Sequence, residues 1–282
     1  MIETITELDV LRERVRSWKR DGLRVAFVPT MGNLHDGHFS LVKRAREHAD
    51  RVVASVFVNP TQFGPNEDFA RYPRTPEADA RGLEAAGCDA MWLPSVETMY
   101  PYGVDATVRV QVPAVTTTLE GASRPGHFDG VATVVSRLFN QVQPDVAVFG
   151  RKDYQQLAVV RYMVRDLAFP IDIVGADIVR EANGLAMSSR NQYLSADERA
   201  QASEIRRCLE AMAGAIHSGQ PREAVEAQAA GRLAQAGFEP DYTVVRRQDL
   251  TEPAAGETGS MVALVAARLG RTRLIDNFEF DA

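Results

Sequence analysis

The residues of this sequence that could do chemistry begin with two histidines three positions apart, His35 and His38. They end the segment P-T-M-G-N-L-H-D-G-H (29–38), which follows an apolar, strand-like run at 23–28 and precedes helix-like spacing at 39–49. The glycines of the segment permit a tight strand-to-helix turn and a close approach of the backbone to a ligand. Because free N–H groups at a helix start attract anions, the segment predicts a phosphate-binding turn that would take a polyphosphate.

Two other interpretations of this segment stay open at the level of the residues alone. Histidines three apart can bind a metal ion, although the intervening Asp36-Gly37 disfavours a rigid helical ligand pair and no further His/Cys cluster in the sequence completes a zinc set. A purely structural turn would explain the glycines but not two polar rings beside a sheet edge. Neither a Walker-type motif nor a G-x-G-x-x-G after a strand occurs, so the P-loop and dinucleotide-binding classes lose support.

The basic residues add two candidate phosphate ligands. Only three of the 32 basic residues are lysines, and one of them, Lys152, lies in the glycine-flanked segment 150–153. Lysine supplies a mobile point charge where arginine supplies a fixed planar fork, so Lys152 is a candidate for chemistry rather than for surface solubility. The segment 187–190 places two serine hydroxyls next to the guanidinium of Arg190; its alternative interpretation is a solvated linker.

Amide side chains at two strand ends could bind a small hydroxy acid. Gln62 follows a strong strand candidate, and Gln156 lies one turn from Asp153 and Lys152 at the start of a predicted helix. Amides pair with hydroxyl and carboxylate groups through their donors and acceptors. An ordinary turn is the alternative for Gln62, because the preceding Asn-Pro favours turns. For the segment 123–127, a loop that leads into a helix is the preferred interpretation.

Alternating strand-like and helix-like segments predict the scaffold that positions these residues. The alternation over about the first 175 residues implies a mainly parallel sheet with helices on both faces, in which ligands bind at the carboxyl ends of the strands, near the topological switch point. The candidate segments fall there, after the first, second and fourth predicted strands. The predicted strands are 23–29, 51–58, 89–93, 145–149 and 171–174, and the predicted helices are 6–20, 38–49, 75–86, 127–142 and 153–167.

From about residue 176 the pattern changes to that of a smaller α+β domain. Two helical stretches, 196–217 and 221–236, come before three short strand candidates. The strand candidates are 241–246, 261–267 and 272–276. We therefore predict two domains, 1–175 and 176–282.

Composition narrows the class of protein. A hydrophobic content of 45% and a charged content of 25% are typical of a soluble globular chain. The net charge of −6 argues against a general nucleic-acid surface. No apolar run approaches the roughly 18–20 residues of a membrane span, and the N-terminus lacks the pattern of a signal peptide. Cys88 and Cys208 are too few for a disulfide framework, so we expect reduced, buried thiols and a cytoplasmic protein.

The segments that could carry chemistry follow one another in a recognisable order. They read P-T-M-G-N-L-H-D-G-H (29–38), F-V-N-P-T-Q-F (57–63), Y-P-R-T-P (72–76), R-P-G-H-F-D-G-V (124–131), F-G-R-K-D-Y-Q-Q (149–156) and G-L-A-M-S-S-R-N (184–191). Together they resemble the pantothenate synthetase family, the AMP-forming pantoate–β-alanine ligases. The resemblance spans about residues 24–194, with a weaker echo in R-L-I-D-N (273–277). A lone H-x-G-H is shared across the superfamily, whereas the full ordered set is highly specific.

The resemblance implies a fold and a reaction. The fold would be a Rossmann-like parallel-sheet domain of the nucleotidyltransferase superfamily with the HIGH motif, followed by a smaller α+β domain that acts as a lid. The reaction would be an ATP-dependent condensation of (R)-pantoate with β-alanine. In the first step the pantoate carboxylate would attack the α-phosphorus of ATP and release pyrophosphate; in the second, the amine of β-alanine would attack pantoyl adenylate and release AMP. The family also implies a homodimer, and Mg²⁺ held through the phosphates with few protein ligands.

The resemblance also assigns roles to individual residues. His38 would be the proton donor, and His35, Lys152 and Arg190 would complete the catalytic set. Gln62 and Gln156 would bind pantoate, with Gln62 also near β-alanine; Asp79 would be an outer-shell partner of the magnesium, and no residue is assigned as a direct metal ligand. The residues that would bind ATP are Met31, Gly32, Asn33, Leu34, His35, Asp36, Gly37, His38, Gly150, Arg151, Lys152, Asp153, Val179, Met187, Ser188, Ser189 and Arg190.

Departures from the family pattern are small. Asp36 stands where glutamate is common, Arg151 where an acidic or amide residue is frequent, and Ala78 removes a carboxylate often present beside Asp79. The last of these weakens only the expectation that an acidic pair helps to place the metal. The competing function is that of a nucleotidylyltransferase of the same superfamily that acts on another small acid. A tRNA-charging enzyme is disfavoured by the acidic balance, and a non-catalytic nucleotide-binding module would have no use for the two glutamines.

Overall fold

The computed structural model describes residues 2–64 and 69–282. These residues form two compact units. The first comprises the chain up to Arg151 together with Gln155–Asp177, and the second comprises Lys152–Tyr154 and Ile178–Ala282. No helix in the described part of the chain is both long and apolar enough to cross a membrane.

The first unit is built on a six-stranded sheet in which every neighbouring pair of strands is parallel. In space the strands follow the order β1-β4-β3-β2-β5-β6. The α/β prediction is therefore confirmed. The strands are β1 (Glu3–Ile5), β2 (Val25–Thr30), β3 (Arg51–Val56), β4 (Ala90–Trp92), β5 (Val146–Gly150) and β6 (Asp172–Ala176).

Helices cover both faces of this sheet, and alternate side chains of β2 pack in two separate apolar clusters, one on each face. Val25 and Phe27 pack in one apolar cluster, and Ala26 and Val28 pack in another on the opposite face. Because successive side chains of a strand point to opposite faces, the unbroken apolar run is the pattern of a strand buried on both sides. The helices are α1 (Leu8–Arg20), α2 (Asp36–Arg46), α3 (Pro76–Ala85), α4 (Val96–Met99), α5 (Glu120–Ser123), α6 (His127–Val142) and α7 (Tyr154–Asp166).

The strand order places the topological switch point between β2 and β5. The chain proceeds from β2 to β3 on one side of the sheet and from β5 to β6 on the other, while β2 and β5 are direct neighbours. Loops that leave the carboxyl ends of such a pair diverge and open a crevice at the sheet edge. The loop after β2 is the histidine-containing turn, and the segment after β5 begins at Arg151.

The second unit packs helices on an antiparallel sheet of order β7-β8-β9. Its core joins the apolar faces of two helices to the strands, and it includes Cys208 and Leu209 from one helix and Val225 and Leu233 from the other. Both cysteines of the chain are free and buried, as expected. The elements are α8 (Ala196–Ala202), α9 (Glu204–His217), α10 (Arg222–Gln235), β7 (Glu239–Arg247), β8 (Ser260–Leu269) and β9 (Thr272–Asp281).

The structure corrects the sequence interpretation at four places. The stretch 196–217 is two helices rather than one, because the chain breaks at Ser203 between α8 and α9. Strand β1 is absent from the sequence prediction, since three residues with one buried side chain carry no measurable alternation. Helices α4 and α5 are absent from it as well, because helices of four residues are too short to show a period.

Candidate functional site

The histidine-containing turn owes its shape to two successive residues in the left-handed region of backbone space. Gly32 has a φ of +86° and Asn33 a φ of +52°. A Cβ on Gly32 would lie 3.0 Å from Cγ1 of Val56 and 3.1 Å from Oδ2 of Asp79. Glycine is therefore favoured at position 32 both by backbone conformation and by space. The turn brings the chain directly from the end of β2 to the start of α2.

His35 and His38 cap the start of α2 with their own rings. Nδ1 of His35 accepts a hydrogen bond from the Gly37 N–H at 3.1 Å, and Nδ1 of His38 accepts one from the His35 N–H at 3.3 Å. The ring centroids lie 4.2 Å apart. Because Nδ1 of each neutral imidazole is an acceptor here, the ring proton belongs on Nε2. The two rings thus act as a pair of Nε2–H donors at a helix N-terminus, a chemistry that suits phosphate oxygens.

A carboxylate from α3 holds the backbone of this turn. Asp79 is 2% exposed. Its Oδ2 accepts from the Asn33 N–H at 3.1 Å, and its Oδ1 accepts from the Leu34 N–H at 2.8 Å and from the Thr75 hydroxyl at 3.2 Å. Both carboxylate oxygens are therefore engaged within the protein. The structure gives Asp79 direct partners in the turn, and its role as an outer-shell partner of magnesium, implied by the resemblance, stays a prediction.

Gln62 lies beside the turn with a fixed amide orientation. Its Nε2 is 2.8 Å from Sδ of Met31, the first residue after β2, and its Oε1 accepts from Nδ2 of Asn59 at 3.1 Å. Both amide side chains are buried, with 8% of Gln62 and 1% of Asn59 exposed. Because Asn59 occupies the oxygen, the amide NH₂ is the end of Gln62 that faces the turn. That end donates, so it matches a ligand with acceptor oxygens.

Tyr100 fixes this amide pair, and no sequence signal pointed to it. Its hydroxyl donates to Oδ1 of Asn59 at 2.5 Å, which leaves Nδ2 of Asn59 to donate to Gln62. Burial raises the pKa of the Tyr100 hydroxyl, so the group stays a protonated donor. The backbone of the glutamine is held as well, since Nδ1 of His127 lies 2.8 Å from the Gln62 carbonyl oxygen. The segment 123–127, interpreted from sequence as a helix start, therefore also supports the Gln62 loop.

The two consecutive glutamines at the start of α7 have different surroundings. Gln155 is 4% exposed. Its Oε1 accepts from the Glu120 N–H at 2.9 Å, and its Nε2 donates to the carbonyl oxygens of Val115 at 2.8 Å and Thr118 at 2.9 Å. Gln155 thus fastens the loop before α5, and both hydrogens of its amide NH₂ are used within the protein. Gln156 is half-buried, and it remains the candidate ligand of the pair.

The predicted phosphate ligands after β5 divide between the two units. Gly150 ends β5, and the N–H of Arg151 donates to the carbonyl oxygen of Ala176 at 2.9 Å within the first unit. Lys152 belongs to the second unit. The sequence prediction treats the segment as one element; the structure divides it after Arg151.

The segment 179–190 forms its own small structure in the second unit. The Met187 N–H donates to the Val179 carbonyl oxygen at 2.9 Å and so closes a hairpin. The Ser188 hydroxyl accepts from the Arg190 N–H at 3.2 Å and caps a 3₁₀ turn that contains Ser189. The structure therefore brings Val179, Met187 and Arg190 into one connected element. It brings the residues from Met31 to His38 together with Gln62 in the first unit.

A metal site made of protein ligands alone is not seen among residues 2–64 and 69–282. No group of three or more His, Cys, Asp and Glu side chains there is placed to hold an ion. In the same part of the chain, each histidine of the turn directs Nδ1 to a backbone N–H. In both histidines, therefore, one ring nitrogen caps the helix.

Comparison with known proteins matches nearly the whole chain to the family that the sequence motifs resemble. The family model for pantoate-beta-alanine ligase matches residues 3–279. The pantothenate synthetase of Xanthomonas axonopodis pv. citri is 67% identical over 280 residues, which cover 99% of this chain and 100% of the relative. That of Xylella fastidiosa is 68% identical over 281 residues, with the same coverage.

Solved structures agree with the sequence relatives. The crystal structure of pantothenate synthetase from Thermus thermophilus superposes with a TM-score of 0.89 at 46% identity, covering 98% of this chain and 99% of that one. Pantoate-beta-alanine ligase from Francisella tularensis, complexed with beta-gamma ATP and beta-alanine, gives a TM-score of 0.81 at 30% identity, covering 99% and 97%. With a parallel sheet, a capped two-histidine turn at its switch point and a family match from residue 3 to residue 279, the chain belongs to the pantoate–β-alanine ligase family.

Proposed function

We propose that this chain joins (R)-pantoate to β-alanine at the expense of ATP and releases pantothenate, AMP and pyrophosphate. A pantoate carboxylate oxygen attacks the α-phosphorus of ATP, and pyrophosphate leaves. The amine of β-alanine then attacks the acyl carbon of pantoyl adenylate, the nitrogen loses a proton and AMP leaves. No covalent bond to the protein is needed, so the residues act by positioning, charge stabilisation and exclusion of water from the mixed anhydride.

One observation carries the proposal: the amide NH₂ of Gln62 lies 2.8 Å from Sδ of Met31, in the phosphate-binding turn itself. An acid held by that amide would sit next to a nucleotide held by the turn. A nucleotide-binding module has no need of a second, fixed donor at this place. The arrangement supports an enzyme in which a small acid and a phosphate meet, which is the requirement of the first step.

Within the turn, His38 is proposed as the proton donor and His35 as a second donor to phosphate oxygens. Both rings present Nε2–H because Nδ1 of each caps the helix, as described above. A donor that is already oriented needs no rearrangement when charge develops on the phosphate oxygens, and this is the origin of its catalytic effect. The turn residues Gly32, Asn33 and Gly37 would line the same nucleotide.

The remaining assignments are also proposals. Lys152 and Arg190 would stabilise charge on the phosphates, and Val179 would border the adenine. Gln156 would join Gln62 in binding pantoate. The other residues proposed to contact ATP are Met31, Leu34, Asp36, Gly150, Arg151, Asp153, Met187, Ser188 and Ser189. Mg²⁺ is proposed as the counterion of ATP, held through phosphate oxygens, since Mg²⁺ in nucleotide sites keeps several waters and few protein ligands.

The dependence on β-alanine tests the reaction. Purified protein is given ATP, Mg²⁺ and pantoate with and without β-alanine, and AMP, pyrophosphate and pantothenate are measured. We expect pantothenate and stoichiometric AMP only with the amine, and at most one pyrophosphate per active site without it. Sustained pyrophosphate release in the absence of any amine would instead support a nucleotidylyltransferase that acts on another small acid.

His38→Ala tests the role of the turn. We expect adenylation to fall by at least about 10²-fold, the scale for one positioned donor or acid. The matched control is His217→Ala, because His217 is exposed at the end of α9 in the other unit. Near-normal turnover of the His38 variant, with both proteins folded, would contradict the assigned role.

Three broader properties are proposed as well, the first two of them from the family resemblance. Residues 176–282 would act as a lid, which limited proteolysis with and without ATP can test. The protein would be a homodimer, so light scattering should give twice the mass of one chain. A cytoplasmic location is proposed from the reduced state expected of the two thiols, and fractionation of the source cells would check it.

A further inference from the structure

The R-L-I-D-N segment (273–277) resembles the family pattern but has no role in the proposed reaction. It lies in β9, and its last two residues are buried polar side chains. Asp276 is 5% exposed and Asn277 is 3% exposed. Buried polar groups need partners within the protein, so the partners of these two residues indicate what the segment does.

Asn277 holds the backbone of Lys152. Its Nδ2 donates to the Lys152 carbonyl oxygen at 2.9 Å. Two residues further along β9, Glu279 accepts a hydrogen bond from the Tyr154 hydroxyl at 3.1 Å, and the same hydroxyl lies 3.1 Å from the Gln248 carbonyl oxygen. Residues 152–154 are thus fastened to β9 at two points. This explains why they cluster with the second unit while their chain neighbours belong to the first.

Asp276, the adjacent residue, holds the hairpin that leads to Arg190. Its two carboxylate oxygens accept from the two terminal nitrogens of Arg180 at 2.7 and 3.0 Å. The Arg180 side chain also donates to the Gly184 carbonyl oxygen at 2.9 Å, and its backbone bridges to Ala186. The pair is largely shielded from water, with 19% of the Arg180 side chain and 4% of that of Asp276 exposed.

The connection from this hairpin to Arg190 passes through Asn191. The Nδ2 of Asn191 donates to the Ala186 carbonyl oxygen at 3.1 Å and to Oε1 of Glu181 at 2.8 Å. Glu181 lies in the same hairpin. The residue directly after Arg190 is therefore tied to the element that Asp276 anchors.

We propose that Asp276 and Asn277 are positioning residues for the two phosphate-binding cations, Asn277 for Lys152 and Asp276 for Arg190. Long basic side chains lose much conformational freedom on binding, so a cation is effective only where its backbone is already held. Asn277 bonds directly to the backbone of Lys152. Asp276 acts on Arg190 indirectly, through Arg180 and the hairpin to which Asn191 is tied. Both cations therefore depend on two adjacent residues of β9. This inference rests on the proposed function, because Lys152 and Arg190 are assigned to phosphates there.

A double-mutant cycle between Asn277 and Lys152 tests the inference. Asn277→Ala, Lys152→Ala and the double variant are compared with the unchanged protein for the Kd of ATP with Mg²⁺, measured by calorimetry, and for pantoate-dependent exchange of pyrophosphate into ATP. Loss of one hydrogen bond to a positioning residue should weaken ATP binding by about 3- to 10-fold. In the Lys152→Ala background, Asn277→Ala should cause no further loss, because Asn277 acts through Lys152.

A role of Asn277 in general stability would behave differently. The weakening of ATP binding would then be the same in both backgrounds, and that result would overturn the proposal. The matched control is Asp241→Asn, which breaks the 2.5 Å ion pair between Asp241 and Arg273 on the same sheet. We expect it to lower thermal stability without changing the Kd of ATP.

Asp276 is tested second, because its removal leaves Arg180 without its charge partner. Asp276→Asn keeps the shape and one acceptor, and we expect ATP binding to weaken by about 10-fold, with no further weakening in an Arg190→Ala background. If unchanged protein makes pantothenate but both cycles are additive, only this inference fails. If unchanged protein makes no pantothenate, the proposed function fails first.

Discussion

Replacing Asp79 by asparagine is expected to weaken ATP use by misplacing the phosphate-binding turn. The carboxylate reaches the turn from α3 and accepts three hydrogen bonds, from the Asn33 N–H, the Leu34 N–H and the Thr75 hydroxyl. An asparagine has the same shape but only one acceptor oxygen. Whichever way the new amide is turned, its NH₂ faces at least one backbone N–H of the turn, so two donors oppose each other in a buried site.

The size of the effect follows from the bonds that are lost. A hydrogen bond to a charged acceptor contributes about 1.5–3 kcal/mol, and an asparagine NH₂ that faces a backbone N–H cannot replace the lost bond. If the turn must move to relieve this, the loss in kcat/KM for ATP is roughly 10- to 150-fold, taking about 1.4 kcal/mol per factor of ten. The first half-reaction should carry the loss, since β-alanine enters after the adenylate has formed.

Steady-state kinetics with varied ATP and varied Mg²⁺ separate this role from metal binding. A positioning role for Asp79 predicts a raised KM for ATP with an unchanged half-saturating concentration of Mg²⁺. The control is Glu77→Gln, an exposed acid in the same first turn of α3, which should behave like the unchanged protein. A variant with normal ATP kinetics but a strongly raised Mg²⁺ requirement would refute the reasoning and indicate that Asp79 helps to bind magnesium.

Three further predictions follow from the same site and the two cores. Tyr100→Phe removes the hydroxyl that holds Asn59, so KM for pantoate should rise about 3- to 10-fold while KM for ATP stays constant; equal changes in both would contradict it. In Gly130→Ala the new Cβ would clash with the Thr61 carbonyl oxygen, so the free energy of unfolding in denaturant titrations should fall by about 1–3 kcal/mol. The control Gly214→Ala should show no loss, because its added Cβ meets nothing within 4 Å. Burial raises the pKa of the Cys88 thiol to about 12 and that of the Cys208 thiol to about 11. A thiol reagent at pH 8 should therefore label neither cysteine in the native protein and both after unfolding, and rapid labelling of the native protein would contradict this.

Much of the scaffold could be predicted from the sequence because the signals are local. Helix α6 has the bounds that the sequence predicts, and α1 and α7 differ from their predicted bounds by one or two residues at their ends. Their apolar residues recur at helical spacing over 13 to 16 residues, which is long enough to show a period. The short elements α4, α5 and β1 lie below that length, so their formation depends on neighbours distant in sequence.

The candidate site divides in the same way. The turn from Met31 to His38 could be predicted as a phosphate site because glycines, histidines and a following helix are all adjacent in the chain. The residues that support the turn could not be predicted. Asp79, for example, lies 45 and 46 positions along the chain from the two backbone N–H groups that it accepts from. Tyr100 reaches Asn59 across 41 positions, and no pattern in the sequence links them.

The sequence by itself determined the parallel-sheet class, the position of the strand-to-helix turn with two histidines and, through the order of its motifs, the family. Those properties depend on local periodicity, backbone conformations that glycine favours, and residue types in fixed succession. Only the tertiary structure decided which ring nitrogen of His35 and His38 accepts a backbone N–H, which groups Gln155 bonds to, and that Lys152 is held by β9. The reason is that hydrogen-bond partners are chosen by proximity in space, and folding brings distant residues together in ways that spacing along the chain does not reveal.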